Sequence, residues 1–148
     1  MTPEKDISLS AVVLTLLAQA ANYPDAGLVN DLISGDFATT ITGACEGLNI
    51  TESAVALRTL RTTYEGRVAD HDTILLDLER EYTRLCFASK PRLVYLFESV
   101  YKEGKLLQDS TFQTARIYFE AGLKVDDAFT LPPDHIAVEL EAMAYILV

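Results

Sequence analysis

The stretch LSAVVLTLLAQAANYPDAGLVNDLISG, residues 9–35, decides the fold. Leu9, Val13, Leu16, Leu17 and Ala20 recur three and four positions apart, the spacing that lines one face of an α-helix. Tyr23-Pro24 stops that helix, because the residue before a proline is pushed out of the α region. Asp25 then stands where a carboxylate accepts from the first free backbone N–H groups of a new helix. That second helix runs through Leu32 and Ile33 and ends at Gly35, a residue free to take the left-handed turn.

The same reading extends outward. A Thr-rich third helix spans roughly Phe37 to Glu46 and stops at Gly47. Thr51 is expected to cap a longer helix with Val55, Leu57, Leu60, Tyr64 and Val68 on its face. After Asp70-His71-Asp72 the stripe restarts as Leu75, Leu78, Tyr82 and Leu85, runs to about Phe87, and breaks at Lys90-Pro91. RLVYLFESVY (92–101) has the β-branched and aromatic content of a strand. No second strand exists to pair with it, so an irregular or short helical connection is expected. Asp109-Ser110 caps a helix through Phe112, Ala115, Tyr118 and Phe119, with Gly122 as its C′ residue. A loop with Asp126 and Asp127 leads to Pro132-Pro133, and a last helix carries Ile136, Leu140, Met143, Ala144 and Leu147 on one face. The expected fold is all-α, one bundle of about six to seven helices in a single domain, 1–148, with 124–135 as a hinge loop.

Composition agrees with a folded domain: 49% of the 148 residues are apolar and 23% charged. Only 7 Gly and 5 Pro interrupt the chain, so long elements are possible. Twelve basic residues against 22 acidic ones give a net charge of −10. That balance argues against nucleic acid and anionic membrane surfaces, which attract Lys/Arg patches, and favours a cationic partner. Cys45 and Cys86 are too few and too far apart for a disulfide framework and read as buried free thiols. MTPEKDIS places Glu4 and Asp6 where a secretory signal needs basic residues, and the apolar runs 11–18 and 142–148 fall short of a spanning helix. A reducing, cytoplasmic setting is expected.

The motifs of an enzyme are missing. There is no GxSxG elbow, GxxxxGK[ST] loop, GxGxxG turn, HExxH or CxxC, and only two histidines. His135 and Glu139 lie four apart with Asp134 adjacent, a pair that faces one way on a helix, but no further strong metal ligand is near in sequence. The plain alternative is that Pro133 or Asp134 opens the last helix and His135 caps it. Arg80, Arg84, Lys90 and Arg92 read as solvated or paired with Glu79, Glu81 and Glu98. From Val125 to the end the chain holds Asp126, Asp127, Asp134, Glu139 and Glu141 with no Lys or Arg. An apolar helix face with an acidic rim suits a peptide that is part apolar and part basic.

Four pieces in order, EYTRLCF (81–87), FESVY (97–101), STFQTARIYFEAGL (110–123) and LPPDHIAVELEAM (131–143), resemble the TorD/DmsD/NarJ family of redox enzyme maturation chaperones. The likeness covers roughly 78–145 and, more faintly, Tyr23-Pro24. It implies an all-helical cytoplasmic chaperone, not an enzyme, with no cofactor of its own. Its partner would be an apo-molybdoenzyme, whose twin-arginine signal peptide it binds, delaying export and assisting molybdopterin insertion. The proline-acid-His hinge of the family corresponds here to Pro132, Asp134, His135 and Glu139, and Tyr82, Glu98, Ser99 and Tyr101 fall in the other blocks. These eight form the expected signal-peptide site, with Tyr82 read as core. Pro133 stands where the family has a first acid, removing one contact to a guanidinium. Family members continue beyond the His-bearing helix, so 135–148 is expected to be a truncated helix or one exchanged with a second copy in a swapped homodimer. Two other readings stay open: a helical assembly subunit acting by oligomerisation, and a GTP-binding maturation factor.

Overall fold

The computed structural model describes residues 3–88, 92–126 and 128–148, and all of its regular structure is helical. Lys90-Pro91 and Asp127 lie outside the described residues. Helix α1 is Pro3–Ala21, α2 Ala26–Ser34, α3 Asp36–Gly47, α4 Ala54–Tyr64, α5 His71–Thr83, α6 Glu98–Glu103, α7 Asp109–Glu120 and α8 Ile136–Leu147. The opening stretch folds as its residues dictate. Asp25 sits in extended backbone and its carboxylate accepts from the Leu28 N–H at 2.8 Å. Gly35 takes φ 82°, which lets it end α2 and begin α3 at once.

Helix α3 ends at Gly47 as expected, and Gly47 has a second role. It is the last helical residue, and a Cβ there would come within 2.6 Å of a Leu9 methyl, so it lets α1 lie close on α3. The chain turns just beyond, at Asn49 with φ 59°. The fourth helix also differs from expectation. Ser53, not Thr51, is the N-cap residue, because a turn closed by Ala54 N–H to Thr51 C=O intervenes. Gly66 at φ 81° ends the segment, so Val68 belongs to a short 3-10 turn, Val68–Asp70. Val55 and Val68 are both 74% exposed rather than on a buried face. Leu57, Leu60 and Tyr64 do pack inward.

The core lies among the first five helices. Leu28, Leu32, Phe37, Ile41 and Cys45 form its centre, with Val13, Leu16 and Leu78 packed around them. Val29, Ile33 and Ile74 extend it between α2 and α5. Burying each such side chain contributes about 1.5–3 kcal/mol. Both cysteines are buried free thiols. After α5 the helix widens into one π turn, Arg84–Ala88, and residues 92–97 are irregular. Their strand-like composition yields a single antiparallel bridge between Phe97 and His135.

The last helix packs along α1 of the same chain. Its buried residues are Ala137 and Ala144, seven apart, and those of α1 are Ala11 and Ala18, also seven apart. Small side chains on both helices let the backbones approach closely. This corrects the expected face: Ile136, Met143 and Leu147 are exposed, and only Ala144, with half-buried Leu140, turns inward. The face chosen by size is the outer one because close packing selects the smallest residues. Helix α7 begins after Gln108 rather than with an Asp109-Ser110 cap, since the Ser110 hydroxyl donates instead to Glu103 at 2.7 Å. Its end is as expected: Gly122 at φ 73° and Leu123 N–H to Tyr118 C=O at 2.8 Å close it.

Candidate functional site

Two structures meet on one side of the bundle: a tightly bonded joint and the groove beside it. The joint forms where residues 96–99 cross residues 132–136. The Ile136 N–H donates to Leu96 C=O at 2.8 Å, and the Glu98 N–H to Asp134 C=O at 3.0 Å. The Asp134 carboxylate accepts from the Ser99 N–H at 2.9 Å. Asp134 thereby serves two of the free N–H groups that open α6, which has no side-chain cap of its own. The His135 N–H turns back to Pro132 C=O at 3.1 Å, and the His135 Nδ1 accepts from the Ala137 N–H at 3.2 Å, capping α8. The imidazole stands edge to face with Phe97 and Phe129, at 5.1 and 5.7 Å between ring centres. Tyr118 donates its hydroxyl to Pro133 C=O at 3.2 Å, tying α7 to the same point.

Asp134, His135 and Ser99 are fully buried. Burial holds the His135 imidazolium below its ordinary range, against the opposing pull of Asp134. With Nδ1 engaged by the backbone and the ring enclosed by phenylalanines, His135 acts as a helix cap. Among the described residues no group of three His, Cys, Asp or Glu side chains is placed to hold a metal.

Charge gathers at this joint. Glu98 pairs with Lys102, not with the arginines of α5, and accepts from the Thr114 hydroxyl at 3.3 Å. Glu139 is half-buried, with one carboxyl oxygen shut away from solvent and lacking a hydrogen-bond partner. Burial, then Glu98 and Asp134, push the Glu139 carboxyl up to about 7, while Lys102 pulls the other way. Burial and the same three carboxyl groups raise the Tyr118 phenol as well. Elsewhere Arg84 pairs with Glu81 at 2.7 Å, Arg80 with Asp77 at 3.8 Å, and the Arg92 guanidinium lies over the Phe87 ring.

The remaining expected residues are dispersed. Tyr82 is half-buried at the C-terminal end of α1, where its hydroxyl donates to Ala21 C=O at 3.2 Å and its ring meets Tyr23 edge on. Burial raises its phenol to about 12. Tyr101 is 70% exposed and touches Tyr95. The structure thus brings Pro132, Asp134, His135, Glu139, Glu98 and Ser99 together at the joint and leaves Tyr82 and Tyr101 apart from it.

The groove is an open hollow of about 890 Å³ between α1, α8 and the loop 122–129. Ala18 and Ala137 floor it, Phe129 and Tyr145 wall it, and Asp126 and Glu141 stand on its edge. A second hollow of about 450 Å³ shares the 123–126 wall and reaches the outer face of α7, where Phe119 is 82% exposed. None of the eight residues expected from sequence lines the larger hollow. It draws on α1 and on a loop more than 100 positions later, a juxtaposition that local spacing does not reveal. Its sequence signals were the apolar Val125 and Phe129 after the Gly122 turn and the acidic run that holds Asp126 and Glu141.

No helix among the described residues is long and apolar enough to cross a membrane. The family described as nitrate reductase delta subunit matches residues 49–148. A crystal structure assigned as a redox enzyme maturation protein from Archaeoglobus fulgidus is similar in fold, with a TM-score of 0.55 and 24% identity. The match covers 99% of this chain and 72% of that one. No curated protein sequence matches.

Proposed function

Because this chain belongs to the nitrate reductase delta subunit family, one of the families of redox enzyme maturation chaperones, we propose that it binds a client's twin-arginine signal peptide in the groove between α1 and α8. The client is an apo-molybdoenzyme; binding delays its export and assists molybdopterin insertion in the cytoplasm, with no reaction catalysed by this chain. The observation that carries the reading is the groove itself: a largely apolar lining that also holds Asp126, Glu141 and one cation, Lys124, on a protein of net charge −10.

A twin-arginine peptide offers two guanidiniums followed by an apolar run. The apolar run enters between Ala18 and Ala137, where each buried large side chain contributes about 1.5–3 kcal/mol. Asp126 and Glu141 receive the guanidiniums, each charge-assisted hydrogen bond being worth about 1.5–3 kcal/mol when shielded. Pro132, Asp134, His135, Ser99 and Glu98 act on the peptide at one remove, by fixing where α8 and hence the groove wall stands. Overall negative charge speeds encounter with a basic peptide.

Calorimetric titration with a synthetic Arg-Arg peptide tests this. Replacing both arginines by glutamine, or Asp126→Asn with Glu141→Gln in the protein, is expected to weaken binding at least about tenfold. Affinity indifferent to both changes overturns the assignment.

A further inference from the structure

Helix α7 is turned inside out. Its buried residues, Ser110, Thr111, Thr114 and Tyr118, all carry hydroxyls. Its outward side carries Phe112, Ala115, Ile117 and Phe119, with Phe112 65% exposed and Phe119 82%. Phe112, Ala115 and Phe119 succeed one another three and four positions apart and form one stripe, with the ion-paired Arg116 and Glu120 beside it. Three of the inward hydroxyls are bonded: Ser110 to Glu103, Thr114 to Glu98, and Tyr118 to Pro133 C=O. Those bonds fix the helix with its phenylalanines outward. A single exposed phenylalanine is ordinary, whereas a helix that hides its polar face and shows its apolar one marks a contact surface.

The stripe borders the second hollow, of about 450 Å³. Ala115 and Phe119 line it from α7, and Leu131 and Pro133 from the segment before α8. Tyr118, Leu123, Lys124, Val125, Asp126 and Phe129 line both hollows, so one wall serves the two. Asp126, one of the two acids offered to the guanidiniums, therefore stands where the hollows adjoin. Lys124 shares that wall, so the charge on it is of both signs and the apolar lining sets what the smaller hollow accepts.

We propose that the second hollow is a subsite for an apolar or aromatic side chain of the same peptide, supplied by one of the two residues that precede its arginine pair. This rests on the larger groove being the signal-peptide site. Continuity and charge select the occupant. A peptide with a guanidinium at Asp126 and its following apolar run along the larger hollow has its preceding residues on the other side of the shared wall. Extended backbone advances about 3.3 Å per residue with side chains alternating, so one of the two preceding side chains turns into the hollow. The subsite gives this chain a means of telling clients apart, since the arginine pair and the apolar run are common to their peptides.

Calorimetry with two synthetic peptides tests this. They share the arginines and the apolar run, and carry either Ser-Ser or Phe-Phe before the pair. The wild-type chain is expected to bind the Phe-Phe peptide at least about tenfold tighter. Phe119→Ser strips the hollow and Ala115→Trp fills it; each should bring that ratio below about twofold and leave the affinity for the Ser-Ser peptide unchanged. Both positions are exposed, so neither change reaches the core. Phe112→Ser, on the same stripe but outside the hollow, should keep the wild-type ratio. A wild-type ratio near one, or a ratio that survives both hollow variants, overturns the subsite. Light scattering that shows a dimer of the free chain, abolished by Phe119→Ser, assigns the face to a second copy and also overturns it. Replacing the arginines by glutamine separates the two readings. If the ratio fails while dependence on the arginines holds, the subsite alone falls; affinity indifferent to the arginines overturns the groove, and the subsite with it.

Discussion

Removing the Asp134 side chain unties α6 from the joint at a calculable cost. Its carboxylate accepts from the buried Ser99 N–H at 2.9 Å, and both residues have no solvent exposure. In Asp134→Ala that N–H keeps its burial and loses its acceptor, which costs about 1.5–3 kcal/mol for a bond to a charged group. Loss of a helix-capping acceptor measured in other proteins gives a similar figure, about 0.5–2 kcal/mol. The two describe the same contact and are not summed. Relief of repulsion with Glu98 and Glu139 offsets a part, so we expect a net loss of about 2 kcal/mol. For a chain of this length that lowers the melting temperature by roughly 4–8 °C. Asp134→Asn keeps an acceptor oxygen for the Ser99 N–H and should lose less than half as much. Differential scanning calorimetry at neutral pH measures both. If Asp134→Ala melts within about 1 °C of wild type, or Asp134→Asn is the more damaging, the capping role is wrong.

Three further outcomes follow from particular contacts. Ala144→Leu puts a large side chain into the close α1–α8 contact, so overpacking should cost about 1–3 kcal/mol, read as a lower urea midpoint with unchanged slope. Gly35→Ala forces a Cβ into the left-handed region at φ 82° and toward the Glu65 side chain at 3.1 Å, for a loss of about 1–2 kcal/mol by thermal melt. Tyr82→Phe deletes the hydroxyl bond to Ala21 C=O and should cost about 0.5–1.5 kcal/mol, with peptide affinity unchanged because Tyr82 does not line the groove.

The parts of the fold legible from sequence are those whose signals are local. Proline at 24, the Asp25 cap and Gly35 place the first two helices, and each acts within a few residues of itself. His135 as a cap of the last helix is of the same kind. Gly66 was an equally local signal, and giving the apolar stripe precedence over it carried the fourth helix too far, to Val68. The buried face of α8 escaped for a different reason. Apolar size marks the face bearing Met143 and Leu147, whereas contact with α1 rewards the small Ala137 and Ala144. The π turn at Arg84–Ala88 has no composition that announces it.

Function divided along the same line. Four motif blocks in order pointed to the family, and the proline-acid-His segment among them marked the joint, because its residues cluster in sequence. Their chemistry is turned inward, on Ser99, Leu96 and Ala137, and the groove is made by α1 and the 122–129 loop, which meet only in the folded chain. Of the recognition residues proposed from that groove, Asp126 lies outside the four motif blocks, and Glu141 lies near the end of the last one without being among its expected site residues.

The most direct test of the central claim is hydrogen–deuterium exchange of the full chain with and without an Arg-Arg signal peptide. The account predicts added protection in the groove-lining segments 15–22, 122–129 and 137–145, and none in the 54–64 helix, which stands outside the hollow. Protection confined to other segments, with the three groove segments unchanged at saturating peptide, contradicts it.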